Sequence, residues 1–385
     1  MKPAKTTAAT TRSGAAGLAL AHAALFLTLA AAVAGDGAPP SAPSEDLFDE
    51  LRAFRYGDSH HALVTLKSRI AQTTPGTQAA AGWADRLVAV ALDASATRAG
   101  RIEACRLLGL AAGNAHLPAL RPLLHDPELS HMARFVFERI ASPTAAEVLR
   151  RAVPEAPREQ RIGIVLSLGR LQDAQAVPVL SRQLGSADPE VAAAAADALG
   201  EIATPEAVEA LQTTAVSRDV RNACVHAQIR AAEGLRRNGN PHRADAVFSR
   251  VFRTESSPVF RVAALNGLVD IRGVDSVPLI IPLFPSESPH LRKAAARYVR
   301  EVPGENAAHI FAACLDQLDE EGRVRLLRAL ADRGERAVAI HVMPWIRNGD
   351  ATAVAAIETL AALGGATAVD PLLAVAAGNK RPANA

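Results

Sequence analysis

The chain has 385 residues, with 42 Lys and Arg against 40 Asp and Glu, and 49% of it is hydrophobic although only 4% is aromatic. That near-balance excludes the marked basic excess with which nucleic-acid binders neutralise phosphate. Apolar volume drawn from Ala, Leu and Val is helix-packing material, so the composition predicts an all-α protein.

Residues 1–34 have the layout of a secretory signal peptide. Lys2, Lys5 and Arg12 precede an apolar stretch from Ala15 to Ala34, and Ala32-Val33-Ala34 before Gly35 forms a small-residue cleavage site. The expectation is export to a periplasmic or extracellular location. The alternative is an uncleaved membrane anchor, against which His22 and the weakly apolar alanines count. Without its three basic residues the remainder carries 39 basic and 40 acidic side chains. Residues 35–44, with Pro39, Pro40 and Pro43, read as a stiff spacer. Residues 45–100 show helical spacing at Leu47, Leu51 and Phe54 and again at Leu63, Leu66 and Ile70, and are expected to form an N-terminal helical cap.

From residue 101 to residue 379 the chain repeats itself. The segments Leu168–Val177, Leu199–Val208 and Leu268–Val277 superpose without gaps, each reading as a helix end, a turn and a new start. The last position of that block recurs at Leu117, Ala146, Val177, Val208, Val277, Ala308, Val338 and Val369, in steps of 29, 31, 31, 69, 31, 30 and 31. The step of 69 holds two units. A unit near 31 residues accommodates two helices of about 12 residues and two short turns, the layout of an αα-hairpin solenoid. Asp126-Pro127, Asp188-Pro189, Ser257-Pro258 and Ser288-Pro289 mark first-helix starts, because the cap oxygen takes an orphan amide and proline at the first helical position loses no hydrogen bond. Ser142-Pro143 and Thr204-Pro205 mark second-helix starts in the same way. The chain ends in a short polar tail, residues 380–385.

Pro258-Val259-Phe260-Arg261-Val262-Ala263-Ala264-Leu265, Ser288-Pro289-His290-Leu291-Arg292-Lys293-Ala294-Ala295 and Asp219-Val220-Arg221-Asn222-Ala223 resemble the first helix of HEAT repeats, in particular the subtype named after phycobilisome lyases. Leu129-Ser130-His131-Met132-Ala133-Arg134 resembles stretches of exported bacterial HEAT-repeat proteins of unassigned function. The resemblance implies a right-handed α-solenoid of about nine hairpins, of ARM-type fold, binding protein far more often than it catalyses. The iron-dependent hydroxylases built on HEAT repeats use His-Glu pairs as metal ligands, and no His precedes Glu in this sequence.

The remaining chemistry-bearing residues are sparse. No phosphate loop, dinucleotide fingerprint or Gly-x-Ser-x-Gly turn occurs. His60 and His61, and His116, His125 and His131, lack metal-site spacing and read as surface or turn histidines, so no metal or cofactor is expected. Cys105, Cys224 and Cys314 lie in helical patterns without paired spacing and read as buried free thiols. The many arginines suggest no function by themselves.

In HEAT arrays the second helix of each hairpin lines the concave face. With Val177, Leu180 and Leu184 turned inward, position 182 points to solvent, and its equivalents are Arg151, Arg182, Thr213, Pro282, Ala313 and Met343. The run Val277–Pro285 has no polar face. The expectation is a protein or peptide partner in the concave groove of a monomer, anchored on Ile281, Phe284 and Met343 and oriented by Arg151 and Arg182. The alternative is that the run is buried internally. In function this predicts a non-catalytic protein-protein interaction scaffold, the alternative being an accessory, lyase-like enzyme with a site assembled across repeats.

Overall fold

The computed structural model describes residues 45–377 apart from 75–76, 305, 348–349, 366–368, 371 and 374–376. The expected signal peptide, spacer and tail lie outside the described residues. Among the described residues every regular element is helical, and no helix is long and apolar enough to cross a membrane.

Three helices, Glu45–Ala53, His61–Ala71 and Gln78–Leu92, pack against the first helix of the array. The contact is tight: at Gly100 any Cβ would collide with the Leu51 carbonyl. The first helices then follow at Arg98–Ala111, Ser130–Ile140, Arg158–Arg170, Pro189–Ile202, Arg221–Arg237, Pro258–Arg272, Pro289–Glu301, Glu320–Arg333 and Ala351–Leu363. Each packs on the first helix of the next hairpin, which forms one layer of an α-solenoid. The long step in the sequence repeat is the fifth hairpin, whose helices of 17 and 14 residues, Arg221–Arg237 and Pro241–Thr254, exceed their neighbours.

Apart from Pro241–Thr254, the second helices are shorter than the spacing predicts, and several are broken. Leu117–Leu120 continues as a 3-10 turn, Arg121–His125; Val277–Ile280 continues as Ile281–Leu283, and Ala339–Val342 as Met343–Arg347. Each of these 3-10 turns carries a proline at its second residue, Pro122, Pro282 or Pro344. Proline lacks the N–H for the helical ladder and its ring clashes with the preceding turn, so the α-helix gives way there.

Three of the six expected helix starts carry the cap bond. Asp188 accepts from the Glu190 and Val191 amides at 3.0 and 3.3 Å, and Ser142 and Thr204 each accept one amide. The hydrogen bond from Arg158 holds the Asp188 carboxyl below its ordinary range, helped by those amides. Ser257 and Ser288 stand at the cap position without a side-chain cap bond, and Asp126 caps a turn that precedes the helix, which begins at Ser130.

Two features set the spacing of the stack. The first is close approach at glycine. A Cβ on Gly169 would lie 2.7 Å from the Ala198 backbone, and one on Gly200 would lie 3.0 Å from Ala227. The second is an arginine four residues into the first helix. Arg101, Arg161, Arg292 and Arg323 reach back over the preceding turn to main-chain carbonyls: Arg161 to Ala156, Arg292 to Ser286 and Glu287, Arg323 to Leu315 and Leu318, Arg101 to Ala91. Arg261, at the same position, instead stacks its guanidinium over Phe252 at 5.1 Å.

Two outcomes are expected in urea unfolding followed by circular dichroism. Gly169→Ala should destabilise by about 1–2 kcal/mol although alanine gains helix propensity, because the obstructing atom is backbone and overpacking outweighs propensity. Arg323→Ala should lose about 1.5–3 kcal/mol, and Arg323→Lys should recover little of it, since a single ammonium cannot reproduce the fork onto two carbonyls.

Candidate interaction surface

The second-helix positions equivalent to 182 form a stripe. Arg151, Arg182, Thr213, Pro282 and Ala313 are all exposed, and Met343 is half-buried against the core. At the basic end Arg151 pairs with Glu147 at 2.5 Å, one turn earlier on its own helix. Arg182 makes no hydrogen bond or ion pair with a described residue and keeps all its donors. Midway, a groove of about 300 Å³ opens between Pro205–Thr213 and Pro241–Thr254, with Val208 and Val247 at its base and Glu209 and Arg243 on its edges. Arg250 closes on Gln212 there at 3.2 Å.

The structure removes two expected anchors from this surface. Ile281 is 4% exposed and Phe284 is fully buried. The run 277–285 therefore sits in the core, as the alternative reading had it. Its solvent face consists of Pro278, Pro282 and Pro285, which are exposed and recur at three- and four-residue intervals. A helix face can thus be free of polar side chains and still need no cover. The run is also tied from outside, because Arg325 donates to the Phe284 carbonyl at 2.8 Å.

Apolar character on the stripe comes instead from Ile310 and Ile340, 38% and 67% exposed, each three residues before an equivalent of position 182 and so on the same helix face. That i, i+3 relation to Ala313 and Met343 was the signal available in the sequence. The two helices are neighbours, with the His309 and His341 rings 5.3 Å apart.

Among the described residues no three His, Cys, Asp or Glu side chains converge as metal ligands. His116 departs from the surface reading: it is buried, with Nδ1 against Gly113 and Nε2 3.3 Å from Asp85. His131 is exposed, and His125 is half-buried. All three cysteines are free thiols, Cys105 and Cys224 buried and Cys314 half-buried. Burial pushes Cys105 up to about 12 and Cys224 up to about 11, so neither is a thiolate at neutral pH.

A second groove, which the sequence reading missed, lies on the first-helix layer among His61–Ala71, Arg98–Ala111 and Ser130–Ile140, and measures about 540 Å³. It exposes Leu110 and Phe135. The run Phe135-Val136-Phe137 carried the hint, since three consecutive residues on a helix cannot all turn to one side.

Residues 146–229, from the second hairpin into the fifth, match the family model for HEAT repeats, and this stretch is a HEAT-repeat array. No curated protein matches the sequence. Among solved structures, human deoxyhypusine hydroxylase is similar at 21% identity over 65% of this chain and 96% of its own, with a TM-score of 0.31. The karyopherin Kap121p bound to the extreme C-terminus of the protein phosphatase Cdc14p is similar at 10% identity over 82% of this chain, with a TM-score of 0.43. The chain spans 45% of that karyopherin's length.

Stability measurements separate the buried residues from the stripe. Ile281→Ala and Phe284→Ala should cost about 2–5 kcal/mol each, as core truncations do, whereas Arg151→Glu and Arg182→Glu should stay within about 0.5 kcal/mol of the parent chain.

Proposed function

We propose that this chain is an exported, non-catalytic scaffold that holds a protein partner along its second-helix, concave face. One observation carries the reading. Positions 151, 182, 213, 282 and 313, on the second, third, fourth, sixth and seventh hairpins, share one register and are all exposed, although the second helices that present them differ in length and integrity. Such a stripe offers a partner contacts on several repeats, so affinity accumulates along the array without any single deep pocket. Its chemistry changes along the way, from the free guanidinium of Arg182 to exposed Ile310 and Ile340. A matching partner is extended, acidic at one end and apolar at the other. Export rests on the residues before Gly35, whose basic start, apolar stretch and Ala32-Val33-Ala34 site follow the secretory pattern.

The test is site-specific photo-crosslinking in the native host, with a benzophenone side chain at Arg182, at Ala313 or, on the first-helix layer, at Lys293. The same protein adduct should come from positions 182 and 313 in the exported fraction, and not from 293. No adduct at either stripe position, or equal adducts at all three, would overturn the proposal.

A further inference from the structure

The groove on the first-helix layer is built, not incidental. Leu107 and Met132 are buried at its base, while Leu110 and Phe135 stand on its walls, 43% and 42% exposed. Phe135 is seated against bare helix backbone, since a Cβ on Gly109 would lie 2.6 Å from its ring. Without a side chain at 109, the aromatic ring has a fixed place beside Leu110.

The rim is electrically one-sided. Lys67 and His131 line it, and neither forms a hydrogen bond or an ion pair with a described residue. Arg106 pairs with Glu103 at 2.7 Å, which offsets the groove's one acidic side chain, and Glu103 is itself 8% exposed. Lys67 is therefore an uncompensated cation beside an apolar trough. Exposed large apolar side chains flanked by positive charge fit the apolar stripe of a helix whose other positions are acidic. Met132 at the base suits such a partner, because its flexible thioether adapts to different apolar side chains.

The geometry points to this groove as a docking site for an acidic amphipathic helix of a partner protein, its large apolar side chains against Leu110 and Phe135 and its carboxylates against Lys67 and Arg106. The inference rests on the scaffold reading and adds a second surface, on the other helix layer from Arg182.

The probe is a fluorescein-labelled peptide with Leu and Phe at i, i+3, i+4 and i+7 and Glu at its other positions, titrated with the full chain and read by anisotropy. Saturable binding is expected. Phe135→Asp and Lys67→Glu should each weaken it roughly tenfold or more, as loss of an interface anchor does, while Arg182→Glu should leave it unchanged. Added salt should weaken it as well. Both altered side chains are solvent-facing, and Phe135→Ser serves in place of Phe135→Asp if a thermal melt shows the latter unfolded. Four outcomes overturn the inference: no saturable binding; equal binding of a peptide with every Glu replaced by Lys; decanoate binding the groove while the peptide does not; or a wild-type dimer that Phe135→Asp dissociates, which would make a second copy the occupant. If the Arg182 crosslinks persist while the probe fails, the groove alone is lost; if the probe binds and the crosslinks are absent, the stripe alone is lost.

Discussion

Through the third, fourth and fifth hairpins adjacent first helices meet where one of the two lacks a side chain, and the tightest part of the stack follows from that approach. Gly169 meets Ala198, Gly200 meets Ala227, and Gly234 meets Ala203. A chain with few aromatic residues has little apolar volume per helix, so its cohesion has to come from many close contacts between small groups. Two rings pack against bare backbone: Phe135 against Gly109 within the first-helix layer, and Phe248, from a second helix, against Gly267 of the next first helix. The same spacing is thus kept in two ways, by backbone against alanine or by backbone against a ring. A hairpin taken from the array would expose half of these contacts, which is why neighbouring hairpins stabilise one another.

Arginine organises the polar side of the same stack. The turns between hairpins leave carbonyls without helical partners, and buried or half-buried carbonyls need donors. Arg161, Arg292 and Arg323 supply them from one position in the first helix, each with a fork that a lysine lacks. Other arginines bridge successive hairpins, as Arg170 does to Glu138 at 3.0 Å and Arg300 to Asp332 at 3.4 Å. Those exposed pairs contribute little each, about 0–1 kcal/mol. The turn ties matter more, because they satisfy groups that would otherwise be orphaned. The abundance of arginine, uninformative in the sequence, has this physical use.

Helix starts and the solvent register were legible because local chemistry fixes them. Asp188-Pro189 and Thr204-Pro205 place both start and cap bond, Ser257-Pro258 and Ser288-Pro289 place the start without the bond, and the outward direction of position 182 follows from helical periodicity alone. The Ile281 and Phe284 anchors failed for a different reason. Lack of polar side chains implies need for cover only where large apolar groups face outward, and the outward positions of that run are prolines, residues that are mostly exposed and that also end the helix there. Leu110 and Phe135 were missed because each is flanked by residues that are buried or nearly so. Which of several adjacent apolar residues turns outward depends on the helix next door, here on the bare backbone at Gly109, and single-helix periodicity does not contain that information.

Contacts in such an array reach only adjacent hairpins, and this limits how far the two surfaces can influence each other. The groove is built by the N-terminal helices and the first two hairpins, whereas Arg182 belongs to the third and Ile310 and Ile340 to the seventh and eighth. Leu110 and Ile340 share no neighbour through which packing strain could pass, and substitutions that share no partner add independently. Communication between the surfaces would require the stack to bend as a whole. The glycine contacts resist that, since at Gly169 and Gly200 the backbones have no slack to close further. A partner gripping the second-helix stripe and a helix seated beside Phe135 are therefore expected to bind without cooperativity, two sites joined by a spacer whose length is set by the number of repeats between them.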